Sequence, residues 1–445
     1  MTFEETIRLF SEGSLEIDFP SIVFTRMGGG SHEKLTGPGS LSQNRDGEIE
    51  LKAHVAFSEP ETMAVLLNHS MESEAGALVP DNGYHDVEAT DVVAAAWDCG
   101  RVIVSSSVSF PTASAVFQAK PRVLRRTNYL NSPKRRLRLY FFDQRARDWK
   151  GLLGGPHELK INRLAFDLEI KEARNAQILV EATSGTDLPE AFERRLIEAL
   201  QFVVGQSLHT AIVDDITSSV RTLSLYGSSS QIRRVPTFPP LEIHTSQYSV
   251  QHVKLLRCYL AYLFSSPDEG IWSPPSSFLS LLRSASEGSI DSWLIGICVT
   301  VEGLAGLIEY TPAPVTAELA KFQEHVAKWI KDEGISESSA KRITGLIGQL
   351  GSARPIDRMM SLVPRKLLYE ADIKTWSKAR NSAVHTRRSN AADMERGKLQ
   401  SRIDQLHDVY RLLYFIIFHV IGYDGKYTDY AEHHFPVRAY PPEAE

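Results

Sequence analysis

The feature that most constrains this chain is a change in hydrophobic period near residue 249. Before it, apolar residues recur at every second position; after it, they recur every three or four. A period of two belongs to strands with one buried face, and a period of 3.6 to helices with an apolar stripe. One chain that obeys the first rule and then the second is expected to form a sheet domain followed by a helical one.

The alternation is cleanest from Glu48 to Phe57, EIELKAHVAF, where Ile49, Leu51, Ala53, Val55 and Phe57 share one face. Shorter strand-like runs follow at Arg101–Phe110, Arg136–Phe142, Glu158–Ile161, Leu164–Ile170 and Gln177–Ala182, separated by Gly, Pro, Asn and Asp. That pattern predicts an antiparallel β-sandwich or barrel-like domain. One helix interrupts it: Leu188, Phe192, Leu196, Leu200 and Val203 recur at helical spacing behind Asp187 as N-cap, and this helix is expected to lie across the sheet. Ser- and Pro-rich sequence from Gly227 to Tyr248 marks the boundary, giving a β-rich domain over 1–235 and an all-α domain over 236–445, an α+β multidomain chain.

In the second half, helices are expected over Val250–Phe264, Ser276–Ala285, Ser289–Glu309, Val315–Glu333, Ala340–Gly351, Ala371 to about Arg388, and Met394–Ile421. Together they make a helical bundle. The last carries Leu399, Ile403, Leu406, Tyr410, Leu413 and Ile417 at alternating spacings of four and three, a packing seam.

Composition limits function. With 445 residues the chain exceeds one ordinary core, and 42% hydrophobic with 23% charged residues is a globular balance. A net charge of −6 offers nucleic acid no global attraction, so contact with RNA would need a local basic patch. Cys99, Cys258 and Cys298 lack paired spacing, which argues against a disulfide framework and a Cys-based zinc site and suggests a reducing compartment. The first residues, MTFEETIRLF, lack a secretory h-region, and the apolar stretch Leu412–Ile421 is shorter than the ~20 residues of a membrane span, so a cytoplasmic protein without membrane contact is expected. The glycines of Met27–His32 lack a phosphate-loop context and read as a turn; His433 and His434 cannot easily converge on a metal, and the tail ending YPPEAE reads as loosely held.

The chemistry concentrates in Asp372–Arg388, DIKTWSKARNSAVHTRR. On a helix, Ile373, Trp376, Ala383 and Val384 face a core, whereas Ser377, Asn381, His385 and Arg388 share another face; Arg380 is offset by one position, within reach of a long guanidinium stem. Imidazole can move protons at an RNA 2′-OH or a leaving 5′ oxygen near neutrality. Guanidinium can hold the scissile phosphate, and Asn381 can orient the imidazole or bind a phosphate oxygen. These residue types suit cleavage without a metal or cofactor, and no second acid or base is needed if a symmetry-related copy supplies it. Lys378, Arg387 and Arg388 could track the RNA backbone or simply form a solvated face. The Arg-x4-His spacing recurs at Arg402 and His407, without the Asn, at the edge of the apolar seam; a packed structural histidine explains that copy.

RNSAVH, Arg380–His385, resembles the Arg-polar-x3-His motif of HEPN domains, and the bundle from about Val250 to Tyr423 resembles the HEPN domain of ApeA-like anti-phage proteins. The segment LTGPGSLSQNRDGEIEL, Leu35–Leu51, is similar to the β-rich domain that precedes it in that group. The resemblance implies a metal-independent HEPN endoribonuclease of phage defence by abortive infection, working as a homodimer or higher homo-oligomer, with Arg380 as phosphate-binding arginine, Asn381 as the polar residue and His385 as catalytic histidine. It further implies RNA as substrate and a phage-derived or nucleotide trigger read by the N-terminal domain. Glu302, the one charge inside SWLIGICVTVEGLAGLI, is expected to need a partner; Arg380 would serve, in the site or as a purely structural pair. The competing reading is a non-catalytic HEPN-like module for dimerisation or nucleotide binding, beside a ligand-recognising β domain.

Overall fold

The computed structural model describes residues 1–27, 34–44, 47–56, 78–109, 114–132, 134–142, 144–173, 177–227, 237–265, 272–310, 317–350, 353–384 and 396–442. The chain divides into two compact units. Unit 1 is Met1–Ile197, Leu208–Arg234 and Ile243–Ser249, and unit 2 is Glu198–Ser207, Val235–Glu242 and Val250–Glu445. The change of unit at Arg234/Val235 falls where the Ser- and Pro-rich sequence lies, but two short segments trade places across it.

Unit 1 opens with helix α1 (Phe3–Ser11), capped by the Thr2 hydroxyl accepting from the Glu5 amide at 3.1 Å. Strands β1 (Glu16–Arg26), β2 (Lys34–Gln43), β3 (Ile49–Ala56), β4 (His85–Thr90), β5 (Ala96–Val102), β6 (Val104–Ser109), β7 (Ser114–Ala119), β8 (Val123–Tyr129) and β9 (Arg135–Phe141) follow. Next come β10 (Gly154–Ile161), β11 (Leu164–Ala173), β12 (Gln177–Ser184), helix α2 (Phe192–Val204), whose residues from Glu198 on belong to unit 2, β13 (Thr210–Ile216) and β14 (Val220–Tyr226). All these strands join one antiparallel sheet in the order β10-β11-β12-β9-β13-β14-β8-β5-β4-β1-β2-β3-β7-β6.

The alternation found in the sequence is visible in β3, whose residues are buried and exposed in strict turn; Phe57 lies outside the described residues. The run from Arg101 is two strands, β5 and β6, broken at Ile103. One core gathers Phe3, Phe10, Phe19, Phe24, Trp97 and Phe117 with the apolar faces of β1–β5, β7, β8, β13 and β14. Beneath it, Asp214, fully buried, accepts from Arg221 at 2.8 and 3.1 Å, and Arg221 lies 4.4 Å from the Phe3 ring centroid. A buried carboxylate is tolerable only with such a partner.

The expected helix near Leu188 starts later than the sequence suggests. Pro189 accepts from the Phe192 amide, the helix runs from Phe192, and Asp187 pairs with Arg135 of β9 in place of capping. Phe192 meets Phe166 of β11 edge-on at 5.0 Å, so the first turn of α2 does pack on the sheet.

Unit 2 holds α3 (Ser249–Ser265), α4 (Pro274–Ser286), α5 (Ile290–Ala305), α6 (Ala317–Asp332), α7 (Glu337–Leu350), α8 (Pro355–Met360), α9 (Glu370–Val384) and α10 (Arg396–Ile421), closed by a hairpin of β15 (Gly425–Thr428) and β16 (Val437–Tyr440). The apolar α5 packs against α4, α9 and α10. Close approach to α4 is built in by glycine: a Cβ on Gly303 would stand 2.3 Å from the Phe278 ring, and one on Gly296 2.3 Å from the Ala285 Cβ.

Two expectations change here. The seam of α10 is exposed at Leu399 but buried from Leu406 on, and between Val409 and Phe418 nearly every residue is buried, on all faces. The reason is the C-terminal hairpin, which covers the side that a single seam would leave in water: Tyr427 and Tyr440 pack on Phe415 and Phe418, and the Tyr440 hydroxyl donates to the Phe415 carbonyl at 3.3 Å. The chain is therefore held up to Tyr440, and of the tail YPPEAE expected to be loose, residues 443–445 lie outside the described residues. No described helix is long and apolar enough to cross a membrane.

Candidate active site

Helix α9 is anchored on its inner face and near its start. Ile373, Trp376 and Ala379 are buried, and the Trp376 indole donates to the Cys298 carbonyl of α5 at 3.0 Å. Near the start of α9, Asp372 accepts from Arg411 of α10 at 2.6 and 2.9 Å, and Arg411 also reaches Asp429 at 3.3 Å. Burial pushes the Asp372 carboxyl up against the pull of Arg411, while its two carboxylates hold Arg411 protonated. These contacts fix both the rotation and the height of the helix, so the residues on its outer face have a set direction.

On that outer face, Arg380 is exposed in the last turn and a half. Its Nε donates to Glu302 Oε2 at 2.7 Å and its Nη2 to Oε1 at 3.0 Å, a two-point clasp between α9 and α5. The pairing was among the sequence expectations; burial was not its setting. The Glu302 side chain is 35% exposed and that of Arg380 43%, because Glu302 points out of α5 while Val301 and Leu304 take the core positions. Of the five N–H donors of a guanidinium, this clasp engages the Nε/Nη2 side and leaves the Nη1 side uncommitted among the described residues.

Asn381 and Ser382 are exposed beside Arg380, and Lys378 is exposed one half-turn earlier. His385, Arg387 and Arg388 lie outside the described residues, as does the glycine turn expected over residues 28–32. The structure thus brings Arg380, Asn381 and Glu302 to one surface. Cys298, one turn before Glu302, is buried with its thiol pushed up to about 12 by desolvation, and so stays a neutral packing group.

The second Arg-x4-His copy has a different surrounding. His407 lies edge-on to Phe238 at 5.3 Å and to Phe435 at 5.2 Å, and burial lowers its pKa; Arg402 pairs with Asp291 at the start of α5. An imidazole wedged between two phenyl rings and kept neutral is a packing residue. His433 and His434 stack on each other at 4.0 Å, and no group of three or more His, Cys, Asp or Glu among the described residues is placed to hold a metal ion.

Comparison of the chain with family models, with curated proteins and with solved structures finds no match.

Proposed function

We propose that unit 2 is a metal-independent endoribonuclease of HEPN type, acting as a homodimer in anti-phage defence, with unit 1 sensing the trigger that releases it. The observation that supports this reading is Arg380: a guanidinium held in one plane by Glu302, exposed to solvent, on the same helical turn as an exposed Asn381 and five residues before His385 in the sequence. A fixed fork with one open side can take a phosphate without paying to reorganise. In the proposed reaction, His385 withdraws the 2′-OH proton, the 2′ oxygen attacks the adjacent phosphorus, and the bond to the 5′ oxygen breaks to leave a 2′,3′-cyclic phosphate. Arg380 stabilises the charge that builds on the phosphoryl oxygens, and a second copy of the motif protonates the departing 5′ oxygen.

The test is incubation of purified protein with total cellular RNA in EDTA, with the end groups identified. Wild type is expected to leave 2′,3′-cyclic phosphates. His385→Ala should lose about 10²–10⁴-fold, the usual worth of a general acid–base, and Arg380→Ala about 10²-fold or more. His407→Ala should cleave as wild type does. Equal cleavage by all four proteins would sink the assignment.

The same clasp supports the competing reading. A carboxylate that engages one side of Arg380 also offsets its charge, as it would in a purely structural pair of a non-catalytic module. Absence of cleavage by a dimeric wild type, together with unchanged dimerisation of Arg380→Ala, is the outcome that reading expects.

A further inference from the structure

Sheet connectivity gives unit 1 a seam. Strands β5 and β6 are joined by Ile103 alone, yet they lie far apart in the sheet order, with β4, β1, β2, β3 and β7 between them. A one-residue link cannot span that distance, so the sheet must curl until its β6 edge returns to β5. The link from β7 to β8, residues Lys120 to Arg122, runs to the neighbour of β5 and passes the same place. At this seam lies a cavity of about 750 Å³.

Cations converge there. Lys52, Arg101, Lys120 and Arg122 line the cavity against one lining carboxylate, Glu50. Two of the four are partly spoken for: Lys120 donates to Glu48 at 2.9 Å, and Arg101 to the exposed Asp81 at 3.3 Å. Among the described residues no carboxylate lies within ion-pairing distance of Lys52 or Arg122. Beside Lys52 stand neutral hydrogen-bonding groups: Ser40, Gln118 and Ser105 are in register with it across β2, β3, β7 and β6, on the face turned away from the core. One aromatic, Tyr84, and the exposed Ile103 add an apolar wall, with the Arg101 guanidinium 5.9 Å from the Tyr84 ring centroid.

Excess positive charge among hydroxyls and an amide suits an anion with several acceptor oxygens. The volume falls within the range of ~300–1,000 Å³ that small-molecule sites occupy. Strand-like nucleic acid is disfavoured, since it calls for a charged groove several nucleotides long with a series of stacking rings, whereas here the cations cluster at one seam with a single ring. We propose that this cavity is a binding site for a small phosphorylated molecule of nucleotide size, with Lys52 and Arg122 taking the phosphates and Tyr84 and Ile103 the remaining, less polar part. The site rests on unit 1 alone. It supplies a ligand class for the sensing role proposed above but does not depend on the ribonuclease reading.

The test is calorimetric titration of the full-length protein with ATP, inorganic triphosphate, adenosine and a short single-stranded RNA, at low and high salt, without any measurement of RNA cleavage. ATP and triphosphate are expected to bind and adenosine not to. Lys52→Glu with Arg122→Glu should weaken ATP by at least about tenfold, and Lys374→Glu in unit 2 should leave it unchanged. A Lys52→Gln, Arg122→Gln pair, whose melting is compared with wild type, carries the test if the charge reversals disturb folding. Saturating ATP should raise the melting temperature of wild type and not of the double variants. No binding of ATP or triphosphate at millimolar concentration, undiminished binding in both double variants, or binding of the RNA alone would each overturn the proposal.

Discussion

Helix α9 carries two arginine–carboxylate contacts, and they differ in what water can reach. Near its start, Arg411 is 16% exposed, Asp372 2% and Asp429 3%; near its end, Arg380 is 43% exposed and Glu302 35%. The chemistry of the two contacts is the same. Their surroundings separate an anchor from a surface that can exchange partners. In the first, every participant would be stranded without the others, because desolvated charges have no alternative. In the second, water competes with a pair worth roughly 0–1 kcal/mol, and the Nη1 side of Arg380 is open to a further partner. A site that binds and releases a polyanion needs the second kind, held in place by the first.

The largest effect expected from breaking this contrast is at Arg411. Arg411→Ala leaves Asp372 and Asp429 buried without a cation, at a cost of about 3–5 kcal/mol, which lowers the melting temperature of unit 2 on the order of 10 °C. Thermal melting by circular dichroism checks it. A loss below about 1 kcal/mol would mean that the Arg411 cluster is no anchor.

Next in size is a pH effect on the same cluster. Asp408, one turn before Arg411 on α10, is raised to about 6 by burial and by Asp372, Asp404 and Asp429, with Arg411 pulling the other way. A carboxyl whose folded pKa lies above its unfolded value stabilises the fold in its protonated form; that contribution is complete below about pH 4 and is lost as pH rises through about 6. Asp408→Asn is therefore expected to melt with wild type near pH 4 and above it at pH 7 to 8. Melting curves across that range decide it, and a difference independent of pH would refute the assignment.

How much of this was open to a reader of the sequence depends on local period. β3 was legible because its phase never breaks. β1 was not: it buries Ile17 and Phe19, then Ile22 and Phe24, and the register shift against β2 between Phe19 and Ile22 moves the alternation by one. Strands of four residues, β15 and β16, are too short to show a period at all, and so the cover over α10 has no signal in the sequence. At the site, Arg380 and Asn381 were legible from residue type and helical spacing. The exposure of Glu302 was not, since an apolar run reads as buried on every side until its neighbours are known. The seam cavity left no sequence signal, because its cations come from β3, β5 and the β7–β8 link, which only the curl of the sheet unites.

The smallest effect is the sharpest test of the exposed pair. Glu302→Gln keeps the shape of the side chain and a hydrogen-bond acceptor but removes the charge that offsets Arg380. Stability should change by less than about 1 kcal/mol. If Arg380 meets the RNA phosphate, two consequences oppose one another. Its uncompensated charge should tighten substrate and lower KM, with a steeper dependence on salt. The guanidinium also loses half of the clasp that sets its plane, so its alignment with the transition state weakens and kcat should fall. Steady-state cleavage kinetics at two salt concentrations separate the two. A fall in both constants marks Glu302 as a positioning residue for Arg380, whereas kinetics indistinguishable from wild type would leave the pair a structural contact between α5 and α9.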